Sequence, residues 1–322
     1  MKNITGKICL LLAFSLAGTS VITGYILSEK LGSFTITALS LGIMLFCLSP
    51  FFGTKTIQTV RLLKKRDWKM LVLQAVFGIF LFRIFLLFGV GLTSTLEAGI
   101  LTGTTPAITS LLAFFILKER FSGWTGIGIA CTVSGIILLQ GVNLYSPGFS
   151  IRHIGGNVLI LCAAASESAF NIISRRHRAK QHYDTEVQIH PMVQTLLVSA
   201  IAFALSVIPA LAEQPFNALQ MAGAKEWLAL LWYGLIVTAL AFVFFYEGVK
   251  RCDAYTTAAF SGLIPLTSML LSLFLLHEPV GYAQWAGGFL VITSMLLIGK
   301  SQSTKRINVI PSPSVSEQAA SK

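Results

Sequence analysis

Charge is scarce in this chain. Asp, Glu, Lys and Arg together make up 11% of its 322 residues, against about 25% in a soluble globular domain. So few charges cannot cover a water-facing surface, so most of the surface is expected to face lipid. Acids are scarcer than bases, 13 against 24. The five cysteines (Cys9, Cys47, Cys131, Cys162, Cys252) are scattered, mostly through apolar runs, with no CxxC pair. They read as small apolar residues and give no basis for a structural zinc site. HExxH, GxSxG and GxxxxGK[ST] are all missing; HEPVG at 277–281 lacks the second His. No enzyme, cofactor, metal or nucleotide-driven pump is therefore expected.

Apolar length is what the chain has instead. It is 54% hydrophobic, with a mean hydropathy of +0.76. About 20 apolar residues cross a bilayer core of about 30 Å as a helix. Ten segments qualify: 8–28, 34–52, 69–91, 95–117, 123–143, 153–173, 190–212, 227–249, 255–276 and 281–299. Continuous runs such as LLAFFIL (111–117) lack the alternation of a barrel strand, so helices are expected. The first span is expected to be retained rather than cleaved, since its removal would leave the first half one helix short of the second. The polar segment 301–322, with few large apolar residues, is expected to be a disordered cytoplasmic tail.

The basic residues set an orientation. With the N-terminus inside, 20 of the 24 Lys and Arg fall in cytoplasmic pieces, three fall outside (Lys30, Arg152, Lys225), and Arg83 lies within a span. The positive-inside rule places both termini in the cytoplasm. It also removes nucleic acid as a partner, because the net charge of +11 is spread over short loops beside the membrane.

One pattern occurs twice. TGTTPAITSLLAFFILKE (102–119) and SGLIPLTSMLLSLFLLHE (261–278) align Gly103 with Gly262, Pro106 with Pro265 and Glu119 with Glu278, always 159 positions apart. The copies end in the fourth and ninth spans. An odd number of crossings separates them, so they run in opposite directions. The expected fold is an all-α integral membrane protein of ten transmembrane helices, two inverted five-helix repeats (1–146 and 147–300), a design suited to alternating access. Each proline frees the carbonyl four residues earlier, those of Thr102 and Ser261. Such breaks belong in buried protein or beside a wet cavity. Packing kinks are the plainer alternative, and the symmetric pair favours a central site.

These residues carry a family resemblance. AGILTGTTPAITSLLAFFILKERFSGWTGIGIACTVSGIILL (98–139) and TTAAFSGLIPLTSMLLSLFLLHEPVGYAQWAGGFLVITSMLLI (256–298) resemble the paired EamA domains of the drug/metabolite transporter superfamily. The resemblance covers about residues 8–141 and 155–299. It implies a small-molecule carrier, most often an exporter of amino acids or other metabolites, coupled to protons where energised, with its cavity between the halves. Two positions depart from the family pattern: Ser40 stands where Arg is frequent, and Ser168-Ala169, after Glu167, stands where Trp-Ala is frequent.

Two ionisable residues lie deep in spans. Arg83 costs about 2.5–3.5 kcal/mol at a helix centre, so it should face the cavity or a partner such as Glu97. Its planar fork suits a carboxylate or phosphate. Glu167 is the expected proton-coupling residue, because burial disfavours a charged carboxylate. Thr102, Pro106, Ser261 and Pro265 at the breaks, with Thr19 and Tyr25 of the first span, complete the expected substrate site. Glu119 and Glu278, at helix ends, are expected to cap the helices that follow them.

The expected function is a secondary transporter in the cell membrane. It would export small polar metabolites, amino acids or analogues foremost, with proton antiport as the coupling and the bilayer and substrate as partners. An organophosphate or nucleotide-sugar exchanger would want more cavity cations than Arg83. A cationic-drug exporter would use Glu167 but must tolerate Arg83. A non-transport sensor or structural protein would not need two inverted, proline-broken helices.

Overall fold

A computed structural model describes residues 2–118, 122–145, 151–181, 189–220, 222–252, 260, 263–278 and 280–307. The described residues are helical, with no strand among them. Seven helices are long and apolar enough to cross a membrane, and Gly123–Leu138, Leu263–Leu275 and Tyr282–Ile298 are shorter apolar helices. In chain order α1 is Lys2–Ser28, α2 Ser33–Leu62 and α3 Lys65–Val90. Next, α4 has two pieces, Thr95–Thr102 and Thr105–Leu117, and is followed by α5 (Gly123–Tyr145) and α6 (Ile151–Gln181). Then come α7 (Pro191–Ala212), a short unnumbered helix Pro215–Gln220, and α8, which begins at Ala224 and ends at Arg251. Last are α9 (Leu263–Leu275) and α10 (Tyr282–Ile307).

Three helices overrun their expected ends. The basic stretch 54–62 continues α2, residues 174–181 continue α6, and residues 301–307 continue α10. None of these stretches contains Pro or Gly, apart from Gly53 just before the first. An established helix propagates more easily than it nucleates. Residues 308–322, the rest of the expected tail, lie outside the described residues.

Small residues set the packing, as expected where lipid removes the hydrophobic drive between helices. On α1 and α8, a methyl group added at Gly6 would meet Cys252 Sγ at 2.7 Å, and one at Gly248 would meet Leu10 at 2.6 Å. The same pair of contacts joins α6 to α3: Gly156 lies against Thr93 and Gly89 against Ile160. Helices α5 and α10 run antiparallel, with Gly135 against the Gly287 carbonyl and Gly128 against that of Ser294. Gly128 and Gly287 are 159 positions apart, as are Gly135 and Ser294. Helices α2 and α7 are also antiparallel, since Thr35 meets Glu213 while Phe52 stacks on His190 at the other end. The apolar centre gathers Val21, Leu86, Val90, Ile100, Leu101, Ile160, Met269 and Val291.

Gly234 makes the closest of these approaches to a backbone atom. A methyl group there would lie 2.5 Å from the Ser40 carbonyl oxygen, a backbone atom that cannot rotate away. Gly234→Ala should force α2 and α8 apart at a cost of about 1–3 kcal/mol, the usual range for overpacking. Gly53→Ala, where nothing lies within 4 Å, should be neutral or slightly stabilising. Thermal unfolding of the two variants in detergent checks this, with only the first expected to show a lowered midpoint.

Candidate functional site

Two helical irregularities converge on one residue of the interior. Residues Val76–Leu81 of α3 and Trp232–Leu240 of α8 are π-helix, each a wider turn than the α-helix around it. Advanced by the repeat offset of 159, Val76–Leu81 falls on 235–240, inside the second segment. Wide turns of this kind concentrate at functional positions. Here both lead to Arg83, which follows the first by two residues and is gripped by the second.

Arg83 is buried, with 6% of its surface exposed. One terminal nitrogen donates to Ser40 Oγ of α2 at 2.8 Å, and the other donates to Thr238 Oγ1 of α8. The guanidinium carbon sits 4.6 Å from the centroid of the Tyr233 ring. Thr238 Oγ1 donates in turn to the Tyr233 carbonyl at 2.7 Å, five residues back, a spacing that suits a widened turn. All of these partners are neutral. Among the described residues no carboxylate pairs with Arg83. Glu97, the partner considered from sequence, is occupied elsewhere: it accepts from Asn157 Nδ2 at 2.7 Å and lies 3.1 Å from His153 Nε2.

The break in α4 forms the second part of the site. Hydroxyls serve the carbonyls left near it. Thr102 donates to Gly99 O, Thr104 to Leu101 O and Thr105 to Thr102 O, at 2.7, 2.7 and 2.9 Å. The carbonyl freed by Pro106 is therefore met by the hydroxyl of the residue just before that proline. Thr105 Oγ1 also lies 3.0 Å from Glu167 Oε2 of α6, and Ser168 Oγ reaches the Thr105 carbonyl at 3.0 Å. Thr105 has one proton for two acceptors. With a proton on Glu167, that carboxyl can donate to Thr105 while Thr105 donates to Thr102. Without it, the Glu167 carboxylate and the Thr102 carbonyl compete for the single Thr105 proton. The protonation state of Glu167 is thus registered at the helix break.

The sequence-expected residues divide accordingly. Glu167, Thr102 and Pro106 come together around Thr105. Arg83 stands among Ser40, Tyr233 and Thr238, and no hydrogen bond or ion pair joins it to Glu167. Thr19 accepts from Trp232 Nε1 at 2.9 Å, next to Tyr233. Tyr25 packs against the apolar centre. Pro265 is buried in α9, and Ser261 lies outside the described residues, as does Glu119. The sequence reading missed Thr105, Tyr233 and Thr238. Thr105 was within reach, since a hydroxyl beside the helix-breaking proline is the nearest donor for the freed carbonyl. Thr238 and Tyr233 are tied by a five-residue spacing for which no sequence rule is available.

The helix-end carboxylates need a correction. Glu278 does not cap α10. It accepts from Thr95 N at 3.2 Å, Thr95 Oγ1 at 2.9 Å and Leu96 N at 3.0 Å, and so caps α4, in the other half. Glu213 does the same for α2, accepting from Phe34 N, Thr35 N and Thr35 Oγ1 at 3.2, 2.8 and 2.8 Å. A carboxylate suits unpaired N-terminal amides and the positive end of the helix dipole. The chain turns sharply at His277 (φ 57°), and α4 supplies a threonine hydroxyl as a third donor. Lys118, the repeat equivalent of His277, has φ 54°.

The comparisons place this chain among known proteins. The model of the EamA-like transporter family matches residues 4–140 and 154–300. The uncharacterized transporter YetK of Bacillus subtilis is 30% identical over 293 residues, covering 89% of this chain and 84% of that protein. The aromatic amino acid exporter YddG of Ancylobacter novellus is 22% identical over 240 residues, covering 74% of this chain and 77% of that one. A solved crystal structure aligns with a TM-score of 0.57 at 18% identity, covering 95% of this chain and 98% of the other. The chain belongs to the EamA-like transporter family and is a multi-pass membrane protein.

Removing either carboxylate clasp should cost about 0.5–2 kcal/mol, the range for a lost helix cap. Glu278→Ala and Glu213→Ala are each expected to lower the thermal midpoint. Their effects should add in the double variant, because the two caps share no residue. Calorimetry or a thermal-shift series on the four proteins checks it.

Proposed function

We propose that this transporter exports small carboxylate-bearing metabolites, amino acids or close analogues, by alternating access with proton antiport. The observation that carries the reading is Arg83, a buried cation held only by neutral groups. A guanidinium has five N–H donors in a rigid fork and binds a carboxylate through two parallel bonds. A single such cation fits a one-carboxylate substrate better than a doubly charged organophosphate or a nucleotide sugar. The name of the YddG relative, an aromatic amino acid exporter, agrees with that class.

The two-repeat organisation supports alternating access. The matched segments 4–140 and 154–300 fit halves at 1–146 and 147–300. The antiparallel contact Gly135–Gly287 becomes Gly128–Ser294 when the halves exchange roles. Likewise Gly6–Cys252 and Gly248–Leu10 become Gly156–Thr93 and Gly89–Ile160. That is the signature expected of ten helices in two inverted five-helix units. Against this background the polar centre is asymmetric. By the same alignments Arg83 has Phe242 as its equivalent and Glu167 has Ala17. One half supplies the anion-binding group and the other the proton-binding group.

In this mechanism the substrate carboxylate docks on Arg83, with Thr102, Pro106, Pro265, Thr19 and Tyr25 contributing to the walls. Glu167 takes up a proton from outside and releases it inside. Through Thr105 its charge state alters the hydrogen bonding of the α4 break. In this reading the termini lie in the cytoplasm and the protein resides in the cell membrane; the distribution of Lys and Arg supports the orientation.

Flux in proteoliposomes tests the reading with three probes: phenylalanine, 3-phenylpropionate and phenethylamine. Phenylalanine should be transported, and 3-phenylpropionate should compete with it while phenethylamine should not. Arg83→Gln should reduce flux at least about tenfold, as expected for a lost charge-assisted pair. Glu167→Gln should retain phenylalanine binding and lose acceleration by an imposed pH gradient. Transport of phenethylamine alone, indifferent to Arg83→Gln, would turn the assignment to cation efflux.

A further inference from the structure

The Arg83 contacts assign a task to the widened turn in α8. Arg83 holds that turn at both of its ends. Its face lies on the Tyr233 ring, and its terminal nitrogen donates to Thr238, whose hydroxyl donates back to the Tyr233 carbonyl. A hydroxyl that accepts from a cation becomes a better donor, so the chain Arg83 to Thr238 to Tyr233 strengthens as a unit. In an ordinary α-helix a threonine hydroxyl bonds the carbonyl three or four residues back. The bond five residues back belongs to the wide turn, and the charge of Arg83 reinforces it.

Arg83 also spans the halves. It is rooted in α3, held by Ser40 of α2, and reaches into α8 of the other half. Gly234, in the same turn, presses against the Ser40 backbone, so α2, α3 and α8 close on one point. Trp232, which opens the wide segment, is bonded to Thr19 of α1. A change in this turn is therefore transmitted to three helices of the first half.

We propose that Thr238 is a positioning residue that parks Arg83 in the unloaded carrier, and that the substrate carboxylate takes its place. The inference rests on the reading of Arg83 as the carboxylate anchor. A carboxylate offers charge-assisted, two-point bonds that a neutral hydroxyl cannot match. When it takes the guanidinium fork, Thr238 loses its cationic donor and the bond across the wide turn weakens. The turn then tightens toward α-helical spacing, which shifts α8 relative to α2 and α3. Substrate binding is converted in this way into movement between the halves. Such a coupling needs an occupant that distinguishes two states by its contacts, and the exchange of Thr238 for carboxylate supplies that difference.

Thr238→Val and Thr238→Ser test the inference, with 3-phenylpropionate as the binding probe and phenylalanine as the transported one. Valine keeps the shape and removes the hydroxyl; serine restores it. In Thr238→Val, Arg83 keeps Ser40 and the Tyr233 ring but loses the Thr238 hydroxyl, so 3-phenylpropionate has one fewer partner to displace and should bind as tightly as in wild type or more tightly. Phenylalanine turnover should fall about tenfold, the scale of one lost bond to a charged group. Thr238→Ser should return turnover toward wild type. With Trp232 as the sole tryptophan, 3-phenylpropionate should change the fluorescence of the threonine and serine forms and leave the valine form unmoved. Parallel loss of binding and turnover in the valine variant would overturn the proposal, as would unchanged turnover. If 3-phenylpropionate binds equally well to Arg83→Gln, the anchor reading itself fails, and this is seen separately from the behaviour of Thr238.

Discussion

A guanidinium buried among neutral groups is the constraint on which the centre of this transporter depends. Two hydroxyls and one aromatic face surround Arg83. Hydrogen bonds to a charged group contribute about 1.5–3 kcal/mol each, enough to offset the roughly 2.5–3.5 kcal/mol that an arginine costs at mid-membrane. Stability is thereby secured without a counter-ion. A carboxylate from the protein would have been the simpler partner, and it would also have blocked the fork. In the proposed mechanism the uncancelled charge keeps the site ready for an anion that arrives and leaves.

The rest of the interior follows the same economy of strong interactions. Backbone groups at the α4 break are met by threonine hydroxyls on the same segment. Glu167 brings a carboxyl to the centre, and it rests on one of those hydroxyls. Further ties between the halves lie at helix ends, where Glu213 and Glu278 each take three donors from the opposite half. The middle is thus bonded largely through hydroxyls and the ends by carboxylates. That contrast suits a carrier whose interior must reorganise around its cargo.

Much of this was legible in the sequence because the membrane allows few solutions. Continuous apolar runs such as 111–117 have to be helices, and seven of the expected spans fall on described helices long and apolar enough to cross a membrane. Helix ends were read less well. Segment 54–62 is polar enough to resemble a loop, yet with no breaker it simply extends α2. Glu278 was assigned to the neighbouring helix because sequence shows only neighbours, whereas its partner Thr95 lies 183 positions away. Arg83 and Glu167 were conspicuous as ionisable groups inside apolar runs. Their partners were not, since Ser40, Thr105 and Thr238 are ordinary hydroxyl residues until the fold brings them to a charge. The π-segments had no readable signal. They depend on side chains, such as Thr238, that stabilise a spacing the backbone seldom adopts alone.

Difference infrared spectroscopy with phenylalanine carrying a ¹³C-labelled carboxylate tests the central claim most directly, because it observes the group said to meet Arg83. Two-point binding to a guanidinium changes the balance between the two carbon–oxygen bonds, and the labelled band reports it free of protein carboxylates. The account predicts a shift of the labelled carboxylate band on binding to wild type and its absence in Arg83→Gln at ligand levels that still load the site. A band at its aqueous position in the loaded wild-type protein would show that the carboxylate remains hydrated, and Arg83 would then not be its anchor.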